Sequence, residues 1–194
     1  MNQDFEALLA EVRACRICEA QLPHGPRPVV RGTPDARLLI VGQAPGRRVH
    51  ETGIPFNDPS GDRLRDWMGI DRETFYDESR IAILPMGFCF PGTVPKKGDL
   101  PPRPECAAQW RARLLAGLPN IELTLVIGAY AQAWHLAGRT GKTLTETVQA
   151  FRDFLPRNLP LPHPSPRNRL WLKKNPWFEA EVVPEMRRRV AALL

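Results

Sequence analysis

The sequence lacks the long apolar segments that membrane spans require. Its strongest apolar runs, residues 38–41 and 123–127, each end at a glycine and fall far short of the roughly 18 residues of a spanning helix. The first residues carry acids where a secretory signal would carry bases, and no apolar segment follows them. We therefore expect a cytoplasmic protein that does not span a membrane.

Cysteine is scarce, since the 194 residues include only four. Cys15 and Cys18 form a C-x-x-C pair, whereas Cys89 and Cys106 flank a proline-rich loop. Four thiols in a cytoplasmic chain favour a metal site over disulfides. Zinc sites usually show two close pairs, but an iron–sulfur cluster accepts one close pair and two remote ligands. Spacing alone leaves a cluster, a zinc site and unligated core cysteines equally open.

Internal repeats and low-complexity tails are also absent. The length predicts one domain over residues 1–194, and 43% hydrophobic with 25% charged residues is typical of a soluble globular protein. A formal net charge of +6 suits a polyanionic partner without showing one. The 21 prolines cluster at residues 94–104 and 156–166, which predicts rigid loops there.

Four short apolar runs predict buried strands, and helical periodicity lies between them. We expect the strands at residues 38–41, 81–84, 123–127 and 159–161. Helices are expected near residues 5–12, 64–68, 105–118 and 129–136, and after Asn175. The alternation of strands and helices predicts an α/β fold with a parallel sheet.

Distinctive residues follow each predicted strand. They are residues 42–46, 87–92, 128–130 and 163–168. Because the carboxyl ends of parallel strands share one edge, where open α/β folds bind ligands, these segments should lie together. Each alone would be ordinary turn chemistry, so the prediction of a site depends on their convergence.

Two of these segments resemble the motifs of the uracil-DNA glycosylase superfamily. The first motif comprises Gly42-Gln43-Ala44-Pro45-Gly46, Gly53-Ile54-Pro55-Phe56 and Ser60-Gly61, and the second comprises His163-Pro164-Ser165-Pro166-Arg167-Asn168. The four cysteines are similar, in order and approximate spacing, to those of the iron–sulfur-containing bacterial branch. This resemblance implies a three-layer α/β/α fold around a four-stranded parallel sheet, and a hydrolase that removes uracil from DNA to leave an abasic site.

The resemblance also implies roles for individual residues. Cys15, Cys18, Cys89 and Cys106 would hold a structural [4Fe–4S] cluster. His163 and the backbone N–H groups of Gln43 and Ala44 would stabilise the departing uracil anion. Phe56 would stack on the flipped base. Further substrate contacts would come from Gly42, Gln43, Asn57 and Ser60.

The first motif has no acid to position the attacking water. Relatives carry one where this chain has Ala44 or, in many iron–sulfur relatives, Gln43. Asp58 and His50, in the loop around Phe56, are the polar groups available for this catalytic role.

The sequence also lacks an asparagine that many relatives use to recognise the base. No asparagine occurs in residues 81–86, where many relatives use one to read uracil. Asn57 or main-chain groups would therefore read the base, which leaves room for hypoxanthine or xanthine as further substrates.

The predicted partner is DNA that contains uracil or another deaminated base, bound by a monomer. Ser165, Arg167 and Asn168 lie on a stiff loop suited to enter the duplex. Arg47, Lys96 and Lys97 are candidate phosphate contacts, although a charge run is usually only a solvated face.

Two other function classes stay open. A catalytically inert iron–sulfur module that binds damaged DNA is favoured by the acid-free pair Gln43 and Ala44. A redox-responsive regulator is less favoured, because no dimerisation or helix-turn-helix segment is visible in the sequence.

Overall fold

A four-stranded parallel sheet lies at the centre of the computed structural model, which describes residues 2–95 and 98–194. The strands along the chain are β1 (Leu38–Val41), β2 (Ile81–Ile83), β3 (Thr93–Val94), β4 (Gly98–Asp99), β5 (Leu123–Ile127) and β6 (Asn158–Leu161). The central sheet has the order β2-β1-β5-β6 with every neighbouring pair parallel, and β3 and β4 form a separate antiparallel pair.

Helices connect the strands and cover the sheet. They are α1 (Asn2–Arg13), α2 (Arg47–Thr52), α3 (Pro59–Met68), α4 (Arg72–Phe75), α5 (Pro104–Cys106), α6 (Ala112–Ala116), α7 (Gly128–His135), α8 (Leu144–Gln149), α9 (Arg169–Lys174) and α10 (Val183–Leu193). A π-helical turn, Ala107–Arg111, joins α5 to α6, and a second one, Phe178–Val182, precedes α10. Single 3-10 turns occupy Glu19–Gln21, Phe151–Phe154 and Pro166–Asn168.

The central strand β1 shows how the layers arise. Its four residues are all buried, and alternate side chains point to opposite faces of the sheet. Leu39 and Val41 belong to the core that α1, α6 and α7 cover, whereas Leu38 and Ile40 belong to the core that α3 and α10 cover. Burial on both faces explains the continuous apolar run in the sequence. The predicted α/β fold around a four-stranded parallel sheet is therefore confirmed.

The short β3–β4 pair overlaps the start of residues 94–104, which the sequence predicts as a rigid proline-rich loop. The N–H of Leu100 donates to the carbonyl of Gly92 at 2.9 Å, and the Gln43 side-chain amide donates to the carbonyl of Leu100 at 3.1 Å. The hairpin is therefore fastened to the turn that follows β1. No helix in the described part of the chain is both long and apolar enough to cross a membrane.

Candidate active site

A cavity of about 260 Å³ opens at the carboxyl edge of the sheet. Its walls are residues 42–47 after β1, the loop that leads into α3, and the loop after β6. The side chains that line it include Gln43, Arg47, Phe56, Asp58, Ser60, Asp99, His163, Ser165 and Arg167. The two motifs are thus brought together as the order of parallel strands predicts.

His163 lines this cavity, and one of its two ring nitrogens takes part in a hydrogen bond within the protein. Its Nδ1 accepts a hydrogen bond from the N–H of Ser165 at 3.1 Å. Burial lowers the pKa of His163 below its usual value, although the carboxylates of Asp58 and Asp99 act in the opposite direction. The ring is therefore neutral at neutral pH with its proton on Nε2, which makes Nε2 a hydrogen-bond donor.

The loop that carries His163 is braced from two sides. Arg63 on α3 donates from Nη1 to the carbonyls of Pro164 at 3.3 Å and Ser165 at 3.1 Å. The side-chain amide of Asn168 donates to the carbonyl of His163 at 2.7 Å. These contacts hold the loop in one conformation, and they use the Asn168 amide within the protein.

Phe56 has an unusual backbone. Among the described residues it is the only non-glycine with a positive φ, 53°, a conformation that costs free energy. Arg65 donates to the Phe56 carbonyl at 3.4 Å, and a Cβ on Gly61 would collide with that same carbonyl. The Phe56 ring lies against Gly42, where a Cβ would meet its Cζ at 3.5 Å. These contacts present the ring to the cavity.

The first motif is fixed through its carbonyl groups. Those of Gly42 and Gln43 accept hydrogen bonds from the N–H groups of Met86 at 2.8 Å and Gly87 at 2.9 Å. The turn after β1 is therefore tied to the segment after β2. Ala44 lines the cavity beside them.

A family model of the uracil DNA glycosylase superfamily matches residues 29–187, which include both motifs and the whole central sheet. The chain belongs to this superfamily. The superfamily acts on DNA, and membership indicates a hydrolase of the DNA glycosylase type.

Most of the site residues predicted from the sequence line the cavity at the carboxyl edge of the sheet. Those are Gly42, Gln43, Ala44, Arg47, Phe56, Asp58, Ser60, His163, Ser165 and Arg167. His50, Asn57 and Asn168 are not among the lining residues. The predicted phosphate contacts Lys96 and Lys97 lie outside the described residues.

His50 and Asn57 have their own surroundings. The His50 ring lies 6.0 Å from those of His24 and Phe90, and its buried Nδ1 has no hydrogen-bond partner in the described part of the chain. Burial, with the nearby charge of Arg27, lowers the pKa of His50. The Asn57 amide oxygen accepts from Arg72 at 3.0 Å. Their predicted catalytic and substrate-binding roles stay predictions.

Sequence reasoning missed several residues of the site. Asp99 on β4 lines the cavity, Pro85 forms part of its wall, and Arg63 braces the second motif. Leu170 on α9, just after that motif, is 70% exposed, although it is a large apolar residue. Leu170 follows the last residue of the second motif by two positions, which was the available signal, although it does not line the cavity. The other three residues had no signal in the sequence.

The buried guanidinium of Arg111 contacts the backbone of the cavity wall at Pro85. Arg111, 1% exposed, donates from Nη2 to the carbonyls of Leu84 and Pro85. Its Nη1 donates to Nε2 of His135 at 3.1 Å. Burial lowers the pKa of Arg111 to about 10, so the guanidinium stays charged at neutral pH. This contact links the π-helical turn to the active cavity.

The four cysteines line a second cavity, on the side of the molecule where α1 ends. Its other lining residues are Leu22, Pro26, Pro28, Phe88 and Arg103. All four thiols are free, and the indole N–H of Trp110 donates to Sγ of Cys15 at 3.4 Å. Within residues 2–95 and 98–194, no three His, Cys, Asp or Glu side chains are grouped as ligands of one metal ion.

Burial opposes ionisation of the Cys18, Cys89 and Cys106 thiols. It raises the pKa of Cys89 to about 12 and that of Cys106 to about 11, and it also raises the pKa of Cys18. At neutral pH these groups are protonated unless a bound cation compensates their charge.

Proposed function

We propose that this glycosylase removes uracil from DNA, with hypoxanthine and xanthine as further candidate substrates. The observation that carries the proposal is the pairing, in one cavity, of a neutral His163 whose Nε2–H is available as a donor and a Phe56 ring carried on a backbone with positive φ. A flipped pyrimidine would stack on the ring and present its O2 to the histidine.

The chemistry follows from what a departing base requires. The bond from N1 of uracil to C1′ breaks, and its electron pair leaves with the base as a uracil anion. The Nε2–H of His163 would stabilise that anion, aided by backbone N–H groups of the turn at Gln43 and Ala44. Water adds to C1′, so the products are free uracil and an abasic site.

Recognition of the base would use main-chain groups. Pro85, which has no donor group, forms part of the cavity wall, and the Asn57 amide oxygen already accepts a hydrogen bond from Arg72. Recognition by main-chain groups would leave room for hypoxanthine or xanthine, which is why these deaminated purines are included.

Binding of DNA would combine charge with insertion. Arg47 and Arg167 are exposed and line the mouth of the cavity, where they can contact phosphates. The exposed Leu170 is suited to fill the space that the flipped base vacates, since apolar wedges insert between base steps.

We also propose that Cys15, Cys18, Cys89 and Cys106 hold a [4Fe–4S] cluster. Support comes from the donor set: four free thiols around one cavity whose other lining residues are apolar except for Arg103. Iron would supply the positive charge that buried thiolates need. The cluster would have a structural role, joining the end of α1 to α5, and no step of base excision passes through it.

The test is an incubation of the purified protein with duplexes that each carry one lesion, followed by alkaline cleavage at abasic sites. The uracil duplex should be cleaved, and the duplexes with hypoxanthine and xanthine test whether these bases are also substrates. A cytosine duplex is the negative control. Binding to the uracil duplex without cleavage would instead favour an inert damage-recognition module, the alternative suggested by the absence of an acid at Gln43 and Ala44.

A further inference from the structure

The active cavity contains two carboxylates among its described lining residues, Asp58 and Asp99. Asp58 already has a structural role, because its Oδ1 accepts the N–H of Gly61 at 2.9 Å and caps the start of α3. Asp99 belongs to the two-residue strand β4 and caps no helix. The two acids therefore differ in what holds them: Asp58 is bound to the start of α3, whereas Asp99 belongs to the β3–β4 pair.

The Asp99 carboxylate is held in a defined orientation. Its Oδ1 accepts a hydrogen bond from the Thr93 hydroxyl at 2.8 Å, across the β3–β4 pair. Its Oδ2 lies on the side of Gly46 and would be 3.5 Å from a Cβ built there. One oxygen is thus anchored to the hairpin, and the other faces the first motif.

Both motifs hold the hairpin that carries Asp99. The amide of Gln43 in the first motif donates to the carbonyl of Leu100, the residue after Asp99, at 3.1 Å. Arg167 of the second motif packs so closely on Gly98 that a Cβ there would be 2.6 Å from its Nη1. A glutamate at residue 43 could not donate this hydrogen bond. The hydrogen bond from Gln43 therefore holds in place the β3–β4 pair, which carries the Asp99 carboxylate to the cavity.

We infer that Asp99 is a catalytic residue of the base-excision reaction, an inference that rests on the proposed function. As N1 leaves with its electron pair, positive charge develops at C1′ and on the ring oxygen of the sugar, and the carboxylate stabilises it. Water then forms its bond to C1′. Asp99 takes a proton from that water and later releases it to the solvent or the free base.

His163 and Asp99 divide the charges of this reaction between them. The neutral histidine donates to the anion that forms on the base, and the aspartate opposes the cation that forms on the sugar. A carboxylate at the mouth of a cavity that receives a phosphate chain weakens DNA binding, because like charges repel. We therefore expect the Asp99 carboxylate to lower the affinity for DNA and to raise the rate of the chemical step.

Because the proposed roles differ in this way, the test compares two quantities, the excision rate and the affinity for DNA. Asp99→Asn keeps the shape of the side chain and an oxygen to accept from Thr93, but removes the charge. Single-turnover excision from a uracil duplex should fall by about 10²- to 10⁴-fold, the range of a lost general base. Affinity for a duplex with a non-cleavable uracil analogue, measured at fixed salt, should stay equal or increase.

Three variants serve as comparisons. Asp35→Asn removes an exposed carboxylate just before β1, at the opposite edge of the sheet, and should leave the rate unchanged. Thr93→Val keeps the charge and loses its anchor, so the rate should fall less than in Asp99→Asn. Asp58→Asn keeps a capping oxygen for Gly61, and its rate should also fall less.

The outcomes separate this inference from the proposed function. If the wild-type protein excises uracil and Asp99→Asn retains that rate, the assignment of Asp99 is wrong while the function stands. A full loss in Asp58→Asn with a normal Asp99→Asn would give the role to Asp58. No base release by the wild-type protein from any lesion duplex would overturn both.

Discussion

The main-chain N–H of Ser165 donates a hydrogen bond to Nδ1 of His163 at 3.1 Å. This contact determines which ring nitrogen carries the proton of the neutral imidazole, because a nitrogen that accepts cannot also be protonated. The backbone N–H of Ser165, a residue of the same motif, therefore places the imidazole proton of His163 on Nε2 and makes Nε2 a hydrogen-bond donor.

Replacement of His163 by alanine should remove most of the excision activity. The loss of one donor to a developing anion typically lowers the rate by about 100- to 1000-fold. Single-turnover cleavage of a uracil duplex measures this loss, and the unfolding temperature checks that the fold is intact.

His50→Ala is the matched control for this prediction. It also removes a histidine whose pKa is lowered by burial, but from the cluster with His24 and Phe90 outside the cavity lining. Its excision rate should stay within a few-fold of the wild-type rate. Equal losses in both variants at unchanged unfolding temperatures would contradict the assignment of His163 as the principal donor and would support the catalytic role that the sequence predicts for His50.

Gly61→Ala should displace Phe56 and abolish excision. The added methyl group would collide with the Phe56 carbonyl, which Arg65 already holds, so the strained backbone at Phe56 would have to move. Gly42→Ala is the graded comparison, because its methyl group would meet only the Phe56 ring edge, at 3.5 Å. Rates and unfolding temperatures of the two variants should differ clearly, and equal behaviour would contradict this account of Phe56.

Purified protein should be brown and contain about four iron atoms per chain. Cys89→Ala and Cys106→Ala should each lose iron and reduce the soluble yield, since a released cluster no longer joins α1 to α5. Iron analysis and the visible absorption spectrum measure the effect. A colourless protein that contains zinc and is fully active would exclude the cluster.

Acid should destabilise the protein partly through His135. Burial, together with the charge of Arg111, lowers the pKa of His135 from 6.5 to about 3. The unfolded chain therefore binds this proton first, so the contribution to stability is complete above pH 6.5 and declines as the pH falls towards 3. The loss amounts to at most about 4 to 5 kcal/mol.

His135→Gln tests this linkage, because its amide oxygen can still accept from Arg111 but does not titrate. Denaturant unfolding at a series of pH values should give a flatter profile for the variant than for the wild type in that window. Parallel profiles would show that His135 does not carry the linkage.

Arg47→Ala should weaken binding to duplex DNA of any sequence. Loss of one phosphate contact should reduce the slope of log affinity against log salt by about 1. Arg13→Ala, which removes an exposed arginine from the last turn of α1, is the control. An unchanged slope for Arg47→Ala would remove this residue from the DNA interface.

The sequence predicts the sheet and the two motifs well for a physical reason. Strands β1 and β5 are buried on both faces, so each is a continuous apolar run, and the distinctive residues follow each strand directly. Neighbouring parallel strands then bring those residues to one edge without any long-range information.

Residues that depend on long-range packing were not predictable in this way. Asp99 reaches the cavity because two strands of two residues each, β3 and β4, pair around the start of the proline-rich loop, and because Gln43 donates a hydrogen bond to Leu100. His50 is close to Phe56 in the sequence, but α2 directs it towards Phe90 before Gly53, with φ of 71°, ends the helix. Neither outcome has a local sequence signal.

The central claim is that this chain releases a free base through the donor at His163. The most direct measurement is chromatographic detection of free uracil from a labelled uracil duplex, in single turnover, with the wild-type protein and with His163→Ala. We predict free uracil from the wild type and a rate about 100- to 1000-fold lower in the variant. Equal release by both proteins, or none by the wild type, would contradict the account.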